Sequence, residues 1–107
     1  MPTEEPVWCM VMFDLPVETK EQRREAAAFR NLLLDNGYQR AQYSVYVRFS
    51  PTVHSILPTI GTIKNNLPTG GEVRILFVSN HQWSRALRFS DDVPISPEHA
   101  PAQLTIF

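Results

Sequence analysis

Cysteine is nearly absent from this chain of 107 residues: Cys9 stands alone, which excludes an internal disulfide and a cysteine-rich zinc site. Glycine is also scarce, with four in all. The one adjacent pair, Gly70-Gly71, precedes a strand-like run, whereas a phosphate cradle opens a helix. Long apolar runs are missing too, since nothing approaches the roughly 20 residues that span a bilayer. There is no excess of positive charge: ten Lys and Arg against eleven Asp and Glu give a formal net charge of -1. Any nucleic-acid contact must therefore come from a local patch or a partner. His54, His81 and His99 lie far apart with no i, i+4 pair, so neither a zinc site nor a nucleophilic triad is indicated. The opening Met-Pro-Thr-Glu-Glu lacks the basic and apolar segments of a signal peptide, and the expected compartment is the cytoplasm.

What the chain does contain is an apolar run that ends on a charge. Met10 to Pro16 reads Met-Val-Met-Phe-Asp-Leu-Pro, and Trp8 to Phe13 predicts a strand. The proline after Leu15 forces the chain out of the ladder. Asp14 is thereby held on a rigid element at a rim, a position that suits a ligand of a hard cation such as magnesium or manganese.

The remaining pattern gives the order of elements. Thr19-Lys20-Glu21-Gln22 matches a capping box, and Ala26, Phe29, Leu32 and Leu33 follow the stripe that buries one helical face. Gly37 supplies a left-handed stop. Tyr38 to Phe49 is β-rich and long enough for two short strands with a bend near Ser44. Pro51 to Leu67 has helical spacing interrupted by Pro58 and Gly61, so a kinked or split helix is expected. Pro68 to Gly71 is a turn and Val73 to Val78 a strand. Ser79-Asn80 caps a short helical turn over 81 to 85, and a last strand is expected over Ala86 to Phe89.

This order, β-α-β-β-α-β with a further strand, predicts an α+β fold of ferredoxin-like type, four antiparallel strands with two helices on one face. The first strand is apolar on both sides, yet two helices cover one face only. The other face needs a second cover, and a second copy related by a two-fold axis is the simplest supplier. The chain divides into a core over 1–90 and a proline-rich tail over 91–107, containing Pro94, Pro97 and Pro101. Residues 103 to 107, Gln-Leu-Thr-Ile-Phe, alternate as a strand does and are expected to pair with the partner subunit.

A homodimer whose axis runs near the ends of the first strands would bring two copies of Asp14 together, enough for a magnesium ion acting on a phosphodiester. Asp35, Asp91 and Asp92 are weaker candidates. Lys20, Arg23, Arg24 and Arg30 could follow a phosphate backbone, with Arg40, Arg48, Arg85 and Arg88 as further cations. Against this, Glu18, Glu21 and Glu25 are interleaved and would make an ordinary salt-bridged surface. Tyr43 and Tyr46 could stack on bases, although aromatics in strands usually belong to a core.

Several landmarks together resemble the Cas-two family of small CRISPR-associated adaptation proteins, in particular the branch that accompanies Cas-nine. They are Met-Phe-Asp-Leu-Pro at 12 to 16, Phe29-Arg30 followed by Leu-Leu-Leu-Asp-Asn-Gly at 32 to 37, and Gln-Tyr-Ser-Val-Tyr at 42 to 46. Leu67-Pro68 to Val73-Arg74, Gln82-Trp83 and the closing Gln-Leu-Thr-Ile-Phe complete the set. The resemblance implies a ferredoxin-like homodimer that sits between integrase dimers of the Cas-one type and holds DNA for insertion as a new spacer. It also implies a magnesium-dependent endonuclease acting on RNA or double-stranded DNA, with Asp14 as metal ligand and catalytic residue. A non-catalytic adaptor, and a toxin-like ribonuclease or regulator domain of similar fold, are the competing readings.

Overall fold

The structure, a computed structural model, describes residues 5–90 and 93–95. The central strand β1 (Val7–Asp14) leads into α1 (Lys20–Asp35), followed by β2 (Gln39–Gln42), β3 (Val45–Ser50), α2 (Val53–Lys64), β4 (Glu72–Ser79) and α3 (Asn80–Ser84). Two short strands, β5 (Arg88–Ser90) and β6 (Val93–Ile95), end the described chain. The main sheet has the order β2-β3-β1-β4, and all its pairings are antiparallel. That is the ferredoxin-like arrangement. The strand expected over Ala86 to Phe89 lies at Arg88–Ser90, and its partner is β6, not an edge of the main sheet.

Local chemistry explains the helix ends. Thr19 Oγ1 accepts from the Gln22 amide at 3.0 Å, while Gln22 Oε1 accepts from the Thr19 amide at 3.0 Å. At the other end, Gly37 takes φ +86°. The Tyr38 amide then reaches the Leu33 carbonyl and the Gly37 amide the Leu34 carbonyl, a Schellman closure that only a residue tolerant of positive φ completes without strain. In α2 the helix runs unbroken through Pro58. The proline withdraws a donor from the carbonyl of exposed His54, where water can replace it.

Alternation along β1 divides the sheet into two unlike faces. Cys9, Val11 and Phe13 join Phe29 and Leu33 of α1 and Ile56 and Ile63 of α2 in the core. Phe13 meets Phe29 edge to face at 5.3 Å. Trp8, Met10, Met12 and Asp14 alternate with these and take the opposite face. The chain itself covers one end of it: Trp83 of α3 stacks on Trp8 at 5.2 Å, and Trp8 Nε1 donates to Asn80 Oδ1 at 2.9 Å. Elsewhere that face is open, with Leu76 48% exposed and Met10, Met12, Val45, Leu87 and Phe89 around a depression of about 530 Å³. The second cover expected from the sequence is therefore partly supplied within the protomer, by α3. The 103–107 segment lies outside the described residues.

Candidate metal and nucleic-acid site

Asp14 closes β1 on the open face and is exposed. What the linear sequence hides is its neighbour. The β1–β4 register runs from Val7 with Ser79 to Asp14 with Glu72, and directly opposed residues of an antiparallel pair share a face with Cβ atoms roughly 5 Å apart. The two acidic side chains therefore leave the sheet side by side on the same face. The turn before Glu72 makes this approach possible: Gly71 has φ +73°, and a Cβ there would overlap the Asp14 carbonyl oxygen. No other residue type fits both requirements without moving the strand. Gly70-Gly71, set aside above as unfit for phosphate binding, is instead the device that brings β4 against the end of β1.

Asp14, Glu72, Arg74, Ser44 and Met12 border a shallow depression of about 280 Å³. Arg74 Nη2 lies 3.6 Å from Glu72 Oε1, and both side chains are largely exposed. This is the one ion pair among the described residues, and at that exposure it adds little to stability. Two exposed oxygen-donor carboxylates suit a magnesium or manganese ion, which keeps several waters and needs one or two carboxylates from the protein. Among the described residues no three His, Cys, Asp or Glu side chains converge, so the described part of one protomer offers this pair and no fuller cage.

The basic residues separate into different roles. Lys20, Arg23, Arg24 and Arg30 lie on one side of α1 by their spacing, with Lys20 and Arg24 exposed and Arg30 half-buried. Arg23 Nη1 donates to the carbonyls of Val17 and Glu18 at 3.0 and 3.2 Å, pinning the segment that leaves Asp14. Glu25 does not pair with these cations: its Oε1 accepts from the Thr69 amide at 2.9 Å and ties the turn before Gly71 to α1. Arg48 Nη1 donates to the Asn36 carbonyl at 2.6 Å, capping the end of α1 where the helix dipole favours a cation. Arg85 Nη1 sits 3.4 Å from His81 Nε2, and Arg88 lies on β5. Asp35 ends α1, exposed. Asp91, Asp92 and His99 fall outside the described residues.

The two candidate stacking tyrosines part company. Tyr46 is buried and lies against Phe13 at 5.7 Å. Tyr43, in the β2–β3 turn, is 69% exposed with the Arg40 guanidinium 5.2 Å from its ring centre.

Beneath the sheet the lone cysteine has a structural setting. Tyr38 Oη lies 3.2 Å from Cys9 Sγ and 3.0 Å from Thr59 Oγ1. Burial, above all, raises the pKa of both groups, and the hydrogen bond to Cys9 pushes Tyr38 further up. A thiol so placed is protonated and inert as a nucleophile.

Comparison with known proteins agrees with this architecture. Residues 7–86 match the family model described as CRISPR associated protein Cas2. A protein named CRISPR-associated endoribonuclease Cas2 from Paracidovorax avenae is 40% identical over 101 residues, covering 94% of each chain. One of the same name from Flavobacterium psychrophilum is 32% identical over 101 residues, 94% of this chain and 88% of that one. Another, from Ligilactobacillus salivarius, is 41% identical over 75 residues, 70% and 74% of the two chains. With the matched region running from the start of β1 through α3, the chain belongs to the CRISPR-associated Cas2 family.

Proposed function

We propose that this protein is a divalent-metal-dependent endonuclease of CRISPR adaptation, with Asp14 and Glu72 holding magnesium or manganese. The observation that carries this reading is the Asp14–Glu72 register at the open end of β1. Relatives named endoribonucleases support the reaction class. A bound cation supplies Lewis acidity and a lowered pKa for water at a phosphodiester. The chain's own groups hold and orient: β1 fixes Asp14, Gly71 lets Glu72 close on it, and Arg23 anchors the loop beyond. Lys20 and Arg24 are the exposed cations of α1 left to follow a phosphate backbone.

The active unit in this reading is a homodimer built on the open face, because Asp14 shares that face with Met10 and Met12. Leu76 on the same side is exposed, apolar surface that a second copy would bury. Purified protein should cleave RNA or duplex DNA with magnesium, and Asp14→Asn should abolish cleavage. Glu72→Gln should weaken manganese binding, read by electron paramagnetic resonance, at least severalfold. Cleavage undiminished in Asp14→Asn would sink the assignment.

A second reading is an adaptor that holds DNA between Cas-one-type integrase dimers without cutting it. The absence of a third convergent ligand among the described residues favours it. Reconstitution with the integrase and a short duplex separates the two: an adaptor supports integration with Asp14→Asn as well as with the unaltered protein.

A further inference from the structure

The β2–β3 turn lies at the same end of the sheet as Asp14. The last paired residues of β1 and β3 are Met12 and Val45. One step beyond, the Phe13 amide donates to the Ser44 carbonyl at 3.1 Å. Tyr43 is the next residue of the turn, as Asp14 is the next of β1. The carboxylate at the strand end is thus flanked by Glu72 through one ladder and by the Tyr43 turn through the other.

Tyr43 is unusual for an aromatic in this chain. Phe13, Phe29, Tyr38 and Tyr46 are buried, whereas Tyr43 is 69% exposed and forgoes the burial that makes a ring worth keeping in a core. Its ring is nevertheless held, because the Arg40 guanidinium lies 5.2 Å from its centre and a cation over one face limits its motion. That combination, a braced aromatic beside a cation, is what stacks an unpaired nucleobase while the cation meets the adjoining phosphate. A base inside a duplex is already stacked on both sides and offers no face to such a ring. Phe89, also exposed, borders the depression on the open face and belongs with the interface proposed above.

We propose that Tyr43, braced by Arg40, is the base-stacking residue of a subsite for single-stranded nucleic acid next to Asp14. This deepens the nuclease reading and rests on it for the position of the cleaved bond. Stacking itself needs no metal, so the two can fail separately.

The test uses the full chain, without magnesium, and a single-stranded RNA oligonucleotide carrying 2-aminopurine. Binding should quench the fluorophore. Tyr43→Ala should lose the quench and bind roughly tenfold more weakly, whereas Tyr43→Phe should retain both. Arg40→Ala should weaken binding severalfold. Unchanged melting of Tyr43→Ala would show that an exposed turn residue has been removed without disturbing the fold. The same RNA annealed to its complement should give no Tyr43-dependent quench. Full quench and affinity in Tyr43→Ala, or equal dependence on Tyr43 with the duplex, would overturn the proposal. If Asp14→Asn keeps the quench while the unaltered protein fails to cleave with magnesium, the nuclease reading falls and the stacking subsite stands.

Discussion

The two faces of the main sheet are cut from the same strands but finished differently. On the helix side, Cys9 and Val11 are fully buried, and Leu33 and Ile56 close over them with no exposure. On the other side, Trp8 is sealed by Trp83, but Met10, Met12 and Leu76 are left partly in water. The first face is a complete core that makes the fold. The second carries the features that point to function, namely Asp14, Glu72 and the unfilled depression. Stability and the proposed function are therefore segregated by the pleat, and one-residue steps along β1 alternate between them.

The sharpest way to break this comparison is to strike each face with one leucine. Leu33→Ala removes a fully buried side chain and should cost about 2–5 kcal/mol in urea unfolding, from lost transfer energy and the cavity left behind. Leu76→Glu should change protomer stability by no more than about 0.5 kcal/mol, yet shift sedimentation from dimer to monomer by placing charge in the proposed interface. A Leu76→Glu protein as unstable as Leu33→Ala would mean that the open face is covered within one chain. One that stays dimeric would move the interface elsewhere.

A smaller effect is expected where the chain closes its own open face. Trp83→Ala should cost about 1–2 kcal/mol, the stacked pair contributing roughly 0.5–1.5 kcal/mol beyond area burial, and Trp83→Phe should recover most of it. If Trp83→Ala unfolds like the unaltered protein but dissociates, the residue serves the dimer and not the protomer. Equal unfolding with the dimer intact would remove Trp83 from both roles.

Much of this was legible in the sequence because it is local. The capping box at Thr19, the left-handed Gly37, the short helix after Ser79 and the bend near Ser44 all depend on residues within four positions of each other. The position of Asp14 was legible as well, since an apolar run that stops at Asp-Leu-Pro can end in few ways. What could not be read depends on register between distant strands. Glu72 looks like any exposed glutamate until β4 is paired with β1 across 58 residues. Tyr43 and Tyr46 are three apart and chemically alike, and only the turn between β2 and β3 decides that one faces water and the other Phe13. Arg48 read as a phosphate contact, but it caps α1 through the Asn36 carbonyl, a role set by how β3 passes the helix end. The strand at Arg88–Ser90 pairs with β6 outside the main sheet, which no periodicity in so short a run could reveal.

The smallest effect tests the helix side by pH. Cys9 and Tyr38 both have pKa values raised by burial from ordinary values of 9.0 and 10.0. In the folded protein each keeps its proton at pH values where the unfolded chain releases it. The unfolded state therefore binds fewer protons in that range, and stability falls as pH rises. The stabilising contribution is complete below pH 9 and is lost progressively above it. Urea midpoints at pH 8, 9 and 10 should show this decline, normalised to pH 8. Removing the thiol in Cys9→Ala should move its onset up toward pH 10, the ordinary value from which burial raises Tyr38, even though the variant is less stable at every pH. An onset unmoved in Cys9→Ala would mean that the thiol does not govern the alkaline limit of the fold. The same measurement on Asp14→Asn should leave the onset where it was, because that carboxylate belongs to the other face.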